Sequence, residues 1–294
     1  ICETICREEQ ALLQGGGKSG ADRQRKLGRL PVRERLAVLL DRDRPFLELG
    51  LWAAHGMYSE WGKVPAAGVI TGLGWISGQP CLIAANDATV KAGAMFPQSV
   101  KKLIRAQKIA HRMRVPIVYL MDSAGVFLPL QDEIFPDEDD FGRIFRNNSI
   151  LSADGIPQYA AVMGNCIAGG AYLPVLCDKI LMTEGSQLCL AGPALVKAAI
   201  GQTVDPEELG GASMHSAVSG TVDFHEKDDE ACLKRLRSLL ALLPDRPVVK
   251  TGTSPARDSN DVYKIVSADG RGEYDVRDLL DTIIDADSFQ EFKP

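Results

Sequence analysis

Apolar and polar positions along the chain follow two spacings, and these divide it into strands and helices. Short, uniformly apolar runs are typical of strands that helices cover on both faces. The run at 116–121 is of this kind, and further strand-like runs lie at 67–75, 81–85, 158–163 and 180–183. Amphipathic spacing predicts helices at 1–14, 31–40, 97–114, 193–200, 226–243 and 275–287. Strands and helices in this order predict an α/β domain with a largely parallel sheet.

Two connections between these elements are informative. The run Ser-Gly-Gln-Pro at 77–80 joins the first two strands and predicts a hairpin. Residues 127–148 are polar and aromatic and predict a long connection, an excursion without regular structure, between two buried strands. Its four consecutive acids at 137–140 have the composition of a solvated loop.

The run Ala-Gly-Gly-Ala at 168–171 lies between the strand at 158–163 and a helix start. Side chains this small allow either close helix–strand packing or contact between a ligand and backbone N–H groups. A second glycine-bearing turn, Asp-Ser-Ala-Gly at 122–125, follows the strand at 116–121. Because ligands bind beyond the carboxyl ends of parallel strands, we expect both turns to face one oxyanion pocket.

Composition and charge exclude several classes of protein. The chain of 294 residues is 45% hydrophobic and 24% charged, which is ordinary for a globular protein. Its net charge of −6 and the lack of a long basic cluster predict no nucleic-acid partner. No apolar run approaches the ~20 residues of a membrane span, and the first residues do not form a signal peptide. The seven scattered cysteines favour reduced thiols, and Cys2 and Cys6 lack a second pair for zinc, so we expect no bound metal.

Side chains suited to acid–base or nucleophilic catalysis are sparse near the two turns. Ser123 lacks the Gly-x-Ser-x-Gly elbow of a hydrolase, and the sequence has no phosphate loop or dinucleotide fingerprint. His215 follows a Gly-Gly pair and is able to approach the pocket, although a place in a loop or the core is the plainer interpretation. An oxyanion pocket without an evident protein base suits enolate chemistry on a thioester, with the base brought by the other substrate.

Several ordered motifs resemble those of the carboxyltransferase (β) subunits of biotin-dependent acyl-CoA carboxylases. They are Asn-Asp-Ala-Thr-Val-Lys-Ala-Gly at 86–93, Asp-Ser-Ala-Gly at 122–125, Phe-Pro-Asp-x-Asp-x-Phe-Gly-Arg at 135–143, Ala-Gly-Gly-Ala-Tyr at 168–172, Leu-Ala-Gly-Pro at 190–193 and Leu-Gly-Gly-Ala at 209–212. The pattern is most similar to the 3-methylcrotonyl-CoA carboxylase type, with the geranyl-CoA carboxylase type nearby. The resemblance covers nearly all of 20–294.

The resemblance implies a crotonase/ClpP-like superhelix of ββα units, with one full domain plus the beginning of a second. The implied organisation is an N-terminal helical segment at 1–30, a carboxyltransferase N-terminal domain at 31–244, a linker at 245–273 and the start of a truncated C-terminal domain at 274–294. It also implies a homo-oligomer, a hexamer of β subunits, that works with a biotin carboxylase and biotin carrier subunit. The implied location is the cytoplasm, or the mitochondrial matrix in a eukaryote.

The mechanism implied by the resemblance relies on backbone amides. Carboxybiotin, carried by a separate subunit, releases CO2, and the biotin ureido group takes a proton from the acyl-CoA. Gly169, Gly170 and Ala171 then face the thioester oxygen as it becomes an enolate. The partner donor comes from Ala124 and Gly125. Contacts with the cofactor and with the CoA phosphates are assigned to Ala168, Lys91, Lys101 and Arg105, although the basic residues of 97–114 also fit a solvated face.

Three positions depart from the methylcrotonyl-type pattern and leave the acyl group open. Ala92 and Ala124 stand where the pattern has glycine. Near the position of Leu130 the pattern usually has an arginine. The leading interpretation is a carboxyltransferase for a branched or unsaturated acyl-CoA. The alternatives are a biotin-dependent decarboxylase of the glutaconyl-CoA type, a crotonase-like hydratase or thioester hydrolase that needs a Glu, Asp or His at the pocket, and a non-catalytic scaffold.

Overall fold

The computed structural model describes residues 2–244 and 252–289. The chain divides into two compact units, Ile1–Pro244 and Asp245–Pro294. The predicted linker at 245–273 begins in 245–251, which lie outside the described residues, and so do the last five residues of the predicted segment 274–294.

Within residues 2–244, eight strands form one sheet. They are β1 Leu47–Leu49, β2 Val69–Ile76, β3 Gln79–Asn86, β4 Ile117–Ser123, β5 Gln158–Ile167, β6 Lys179–Thr183, β7 Gln187–Cys189 and β8 Phe224–Glu226. Their order is β1-β2-β3-β4-β5-β6-β8, and β7 pairs with the end of β5. The first three strands are antiparallel neighbours, and every later pairing is parallel. The predicted α/β domain with a largely parallel sheet is therefore confirmed.

The helices of this unit cover the sheet on both faces. They are α1 Cys2–Leu13, α2 Gly17–Lys26, α3 Val32–Leu39, α4 Pro97–Met113, α5 Gln131–Ile134, α6 Phe141–Ala153, α7 Gly169–Val175, α8 Pro193–Ile200, α9 Pro206–Gly210, α10 Ala212–Ala217 and α11 Asp229–Leu240. Ile117 and Tyr119 of β4 pack in the core with residues of α4 and α6, whereas Val118 and Leu120 pack with residues of α3 and α11. Successive side chains on a strand point to opposite faces, so the uniformly apolar run reflects two cores.

Residues 127–148 contain more regular structure than predicted. α5 lies inside this segment, and α6 begins within it at Phe141. The buried positions of α6 include Asn148 beside apolar residues. Asn148 accepts from Gln107 Nε2 at 3.0 Å and donates from Nδ2 to Gln158 Oε1 at 2.9 Å. A buried polar residue at a core position interrupts the apolar stripe, and for that reason the prediction of an excursion was wrong over α6.

Two predicted helices are shorter than expected. The helix predicted at 226–243 begins at Asp229 because Glu226 belongs to β8 and the Asp228 side chain caps the first turn, accepting from Ala231 N at 2.8 Å. In the second unit, α12 is Val262–Ile265 and α13 is Val276–Leu280. The prediction of one helix over 275–287 was wrong beyond Leu280, where turns follow and Asp287 has a left-handed φ of 60°.

In the ranges that the structure describes, no helix combines the length and apolarity needed to span a membrane.

Candidate functional site

Three loops meet at the carboxyl ends of the parallel strands β3, β4 and β5. The loop after β3 lies against the turn after β4, since Ala124 N–H donates to the Ala92 carbonyl at 3.1 Å. Ser123 Oγ donates to the Gly93 carbonyl at 2.8 Å and reinforces this contact. Beyond it, Met95 and Val126 form an isolated parallel bridge. The chain after β4 therefore remains paired with the loop after β3 as far as Val126.

The turns after β4 and β5 approach each other closely enough that only glycine fits. A Cβ on Gly125 would lie 2.9 Å from the Ile167 carbonyl oxygen and 3.9 Å from Gly169 N. A Cβ on Gly170 would lie 2.9 Å from the Ser123 carbonyl oxygen. Gly125 also has φ of +91°, which other residues rarely adopt. The structure thus places the predicted runs at 122–125 and 168–171 side by side.

Two backbone N–H groups stand at this junction without an acceptor. Among the hydrogen bonds of the described residues, none uses the amide of Gly169 or Gly170 as donor. These are the first two residues of α7, where an N–H has no partner within the helix. Gly169 is half-buried and Gly170 is buried, and Ala168 and Ala124 beside them are exposed. Of the predicted donors, the amides of Gly169 and Gly170 are therefore the two that no acceptor in the described chain occupies.

The other predicted donors are engaged within the chain. Ala124 N–H is held by Ala92, as described, and Gly125 N–H donates to Ser123 Oγ at 3.2 Å. Ala171 N–H donates to the Ala168 carbonyl at 3.0 Å. The donor roles given to Ala124, Gly125 and Ala171 therefore stay predictions, and each needs an existing bond to exchange for one with a ligand.

Close packing also accounts for the two glycines of α7. A Cβ on Gly169 would lie 2.6 Å from the ring of Phe141. That ring contacts Phe145 with centroids 5.0 Å apart, and Phe145 contacts the exposed Tyr172 at 5.3 Å. The two interpretations of the Ala-Gly-Gly-Ala run, packing and anion binding, are thus compatible, because the Cα side of each glycine packs while its N–H remains free.

Residues other than glycine have a positive φ in the loops after β3 and β5, which the sequence pattern did not predict. Lys91, Ala92 and Ala168 have φ of 48°, 53° and 53°. A positive φ costs a residue with a Cβ about 1–3 kcal/mol, and at Ala168 the accompanying ψ of −123° lies outside the left-handed helical region. Such strain concentrates at functional sites. The left-handed φ at Ala92 gives a physical reason for the glycine that the methylcrotonyl-type pattern has there. Ala124 does not have a positive φ, so the backbone conformation at this position does not require glycine.

The predicted phosphate-binding cations are exposed and without partners. Lys91 lies in the loop after β3, and Lys101 and Arg105 lie one turn apart on α4. In the described part of the chain, the side chains of these three residues form no hydrogen bond or ion pair. Their neighbour Lys102 differs, since it is buried and donates to the Ala66 and Val69 carbonyls at 2.9 and 2.6 Å. Burial lowers the pKa of its ammonium to about 8.

His215 supports the wall of the site. Its Nε2 lies 2.6 Å from the Leu188 carbonyl oxygen of β7, and its Nδ1 lies 3.0 Å from Ser219 Oγ. The next residue of β7, Cys189, accepts from Ala168 N–H at 3.0 Å. His215 therefore positions β7 beside the junction, and both its ring nitrogens are engaged. Among the residues that the structure describes, no group of three His, Cys, Asp or Glu side chains is arranged to hold a metal ion.

Comparison with known proteins identifies the family. Residues 23–294 match the family model described as the carboxyl transferase domain, so the chain belongs to the carboxyl transferase family. The β1 subunit of the biotin-dependent 3-methylcrotonyl-CoA carboxylase of Mycobacterium tuberculosis is 46% identical over 284 residues, which are 95% of this chain and 53% of that protein. The mitochondrial methylcrotonoyl-CoA carboxylase β chain of Arabidopsis thaliana is 43% identical over 295 residues, 96% of this chain and 50% of that one.

A solved structure gives the same result for the fold. The crystal structure of the geranyl-CoA carboxylase β subunit of Pseudomonas aeruginosa matches with a TM-score of 0.83 and 34% identity, over 96% of this chain and 53% of that one. The crotonase-like α/β fold and the resemblance to carboxyltransferase β subunits are confirmed. The chain spans about half the length of the curated relatives it matches.

Proposed function

We propose that this chain binds an acyl-CoA and takes part in moving a carboxyl group to it from carboxybiotin. The acyl group is branched or unsaturated and similar to methylcrotonyl. Family membership and the names of two relatives, both methylcrotonyl-CoA carboxylase β chains, support the reaction class and this acyl group. The observation that carries the proposal is the pair of unpartnered amides on Gly169 and Gly170 at an accessible junction of small residues.

In this proposal the chain binds and polarises the thioester. The Gly169 and Gly170 amides hold the thioester oxygen as it gains negative charge during enolate formation. One such donor is typically worth about 3–4 kcal/mol of barrier. The small side chains of Ala92, Ala124 and Ala168 leave room for a thioester to approach the backbone. Lys91, Lys101 and Arg105 remain available to the CoA phosphates, and Ala168 lies where the acyl-CoA would cross the backbone.

Two titratable residues of the described chain near the junction are already engaged. His215 is held on both ring nitrogens, and the Asp122 carboxylate is bound to Arg35 at 3.3 Å. When bound, carboxybiotin supplies the carboxyl group and the proton-accepting ureido nitrogen. We infer a biotin-carrying partner subunit and a homo-oligomer of β subunits, in the cytoplasm or, in a eukaryote, the mitochondrial matrix. The predicted second crotonase-like domain stays part of this proposal.

The test uses the exposed methyl group of Ala124. Ala124→Leu adds bulk at the junction without entering the core, and Ala37→Leu makes the same change at an exposed position of α3. In the protein assembled with a biotin-carrying subunit, we expect Ala124→Leu to lower ATP- and bicarbonate-dependent carboxylation of 3-methylcrotonyl-CoA at least about 10-fold. Ala37→Leu should match the wild type.

Other outcomes decide between the alternatives. Equal carboxylation by both variants would contradict the proposed site. Biotin-independent hydration or hydrolysis that disappears in His215→Ala would favour the hydratase or hydrolase. Biotin-dependent loss of CO2 from an acyl-CoA, without the forward reaction, would favour the decarboxylase, and no measurable acyl-CoA binding would favour the scaffold.

A further inference from the structure

The pairing of β4 with β5 is interrupted just before the site. Met121 pairs with Val162, but the next pair along the ladder is Ser123 with Cys166. Three residues of β5, 163–165, therefore face the single residue Asp122, and we call them the β5 bulge. β5 also changes neighbours here, pairing with β6 up to Val162 and with β7 from Asn165. The bulge sets how far the end of β5 advances relative to the end of β4.

A buried arginine from α3 reaches this bulge. Arg35 is 1% exposed. Its Nη2 donates to the Met163 carbonyl at 2.8 Å, and its Nη1 donates to Asp122 Oδ2 at 3.3 Å. Its Nε donates to Asp229 Oδ2, at the start of α11, at 2.7 Å. One planar guanidinium thus joins the bulge, the end of β4 and a helix that covers the sheet.

The other bulge residues are fixed by the same group of charges. A Cβ on Gly164 would lie 2.0 Å from the Asp122 carboxyl group, so glycine is required for that carboxylate to lie against the strand. Arg29 donates from Nη2 to Asn165 Oδ1 at 2.9 Å, and its Nη1 lies 3.9 Å from Asp122 Oδ1. Two guanidinium groups and two carboxylates, those of Arg29, Arg35, Asp122 and Asp229, form this Arg35 cluster.

The Arg35 cluster holds the segments of β4 and β5 that immediately precede the two turns of the site. Ser123 and Cys166, the first pair after the bulge, are followed at once by Ala124 and Gly125 on one strand and by Ile167 and Ala168 on the other. A shift of the bulge would therefore move the Gly169 and Gly170 amides relative to the turn after β4. We propose that Arg35 is a positioning residue for carboxyl transfer: it holds the β5 bulge and thereby sets the place of these two amides. This inference rests on the proposed function.

The experiment compares Arg35→Lys with a matched control, Arg237→Lys. Arg237 donates from Nη2 to Asp41 Oδ1 at 2.7 Å and also donates to the Leu39 carbonyl. It therefore ties α11 to the end of α3, as Arg35 does, without reaching the bulge. Lysine keeps the charge but not the three-way fork. In the protein assembled with a biotin-carrying subunit, we expect Arg35→Lys to lower kcat about 100-fold while KM for 3-methylcrotonyl-CoA stays within about threefold. Arg237→Lys should change neither.

Hydrogen exchange provides a readout that does not depend on activity. The bonded amides of Ala124, Gly125 and Ala168 should lose protection in Arg35→Lys and keep it in Arg237→Lys. If the wild type carboxylates no acyl-CoA, the proposed function fails, and the exchange data alone decide whether Arg35 positions the loops. Should Arg35→Lys not fold, Asp122→Asn replaces it, since asparagine keeps the shape and loses the charge. Unchanged kcat and protection, or equal losses in the Arg237 control, would overturn the inference.

Discussion

The turns after β4 and β5 have similar small residues and nearly the same position, yet they differ in what their amides do. After β4, Ala124 and Gly125 donate to Ala92 and to Ser123 Oγ. After β5, Gly169 and Gly170 donate to no acceptor in the described chain. The difference follows from what comes next, because the first turn leads into a pairing of Val126 with Met95, whereas the second leads at once into α7. Small residues permit a ligand site, but the neighbouring chain decides which amides are available.

The largest effect is expected from an experiment that distinguishes the role of the Gly169 N–H from the role of its packing. Gly169→Pro removes the N–H at the first helical position and requires Ala168 to leave its ψ of −123°, whereas Gly169→Ala keeps the N–H. Both add a Cβ that meets Phe141, at 2.6 Å in the present structure. Relative to the alanine variant, we expect the proline variant to lose about 100- to 1,000-fold in kcat of acyl-CoA carboxylation. Equal activity of the two variants would show that packing alone explains this glycine.

The second prediction addresses the turn after β4. Ser123→Ala leaves the Gly93 carbonyl without its donor and Gly125 N–H without its acceptor. Because both are buried, we expect a loss of about 1–3 kcal/mol in the free energy of unfolding, measured by urea denaturation. We also expect the loss in kcat to stay below about 10-fold, since this turn serves mainly as a support. A larger loss in kcat with unchanged stability would indicate that Ser123 or Gly125 acts on the substrate.

Replacing alanine by glycine should change the free energy of unfolding in opposite directions in the two turns. Ala168→Gly relieves a left-handed φ of 53° at an exposed position and should stabilise the protein by about 1 kcal/mol. Ala124→Gly relieves no such strain and should destabilise it by about 0.5–1 kcal/mol. Thermal unfolding of both variants measures the difference. Matching signs would mean that the backbone at 168 is not strained in solution.

The smallest expected effect is a lack of labelling at Cys166. This thiol pairs with Ser123 between the two turns, and burial raises its pKa to about 12. At pH 8 about one thiol in 10,000 is then ionised, so a maleimide or disulfide reagent should react first with the exposed Cys2 and Cys6. Peptide mass spectrometry locates the label. Rapid modification of Cys166 in the native protein would show that the turns separate.

The sequence allowed the larger features of the site to be predicted because they depend on local patterns. The apolar runs located β4 and the first part of β5, and the small residues marked both turns. The identity of the free amides did not follow from the sequence, because it depends on distant partners. The acceptor for Ala124 N–H is a carbonyl at Ala92, in a different loop. No residue spacing encodes that contact.

The β5 bulge and α6 escaped prediction for a related reason. β5 was expected to end at 163, whereas it continues to Ile167 after changing partners from β6 to β7. The buried charges that hold the bulge come from segments far apart in the chain, and charged residues ordinarily predict exposed positions. In α6, Asn148 occupies a core position because Gln107 and Gln158 satisfy its amide. Where polar residues form a buried hydrogen-bonded network, the rule that polar positions are exposed does not hold.

The distances along the chain spanned by Arg35 have a consequence for synthesis on the ribosome. Its partners lie 87, 128 and 194 residues further on, at Asp122, Met163 and Asp229. At ~5–20 residues per second, roughly 10 to 40 s pass between the emergence of Arg35 and that of Asp229. Through that interval the guanidinium has only part of its final set of partners. The support of the site is therefore completed among the last events of translation of this unit, after the strands that it joins.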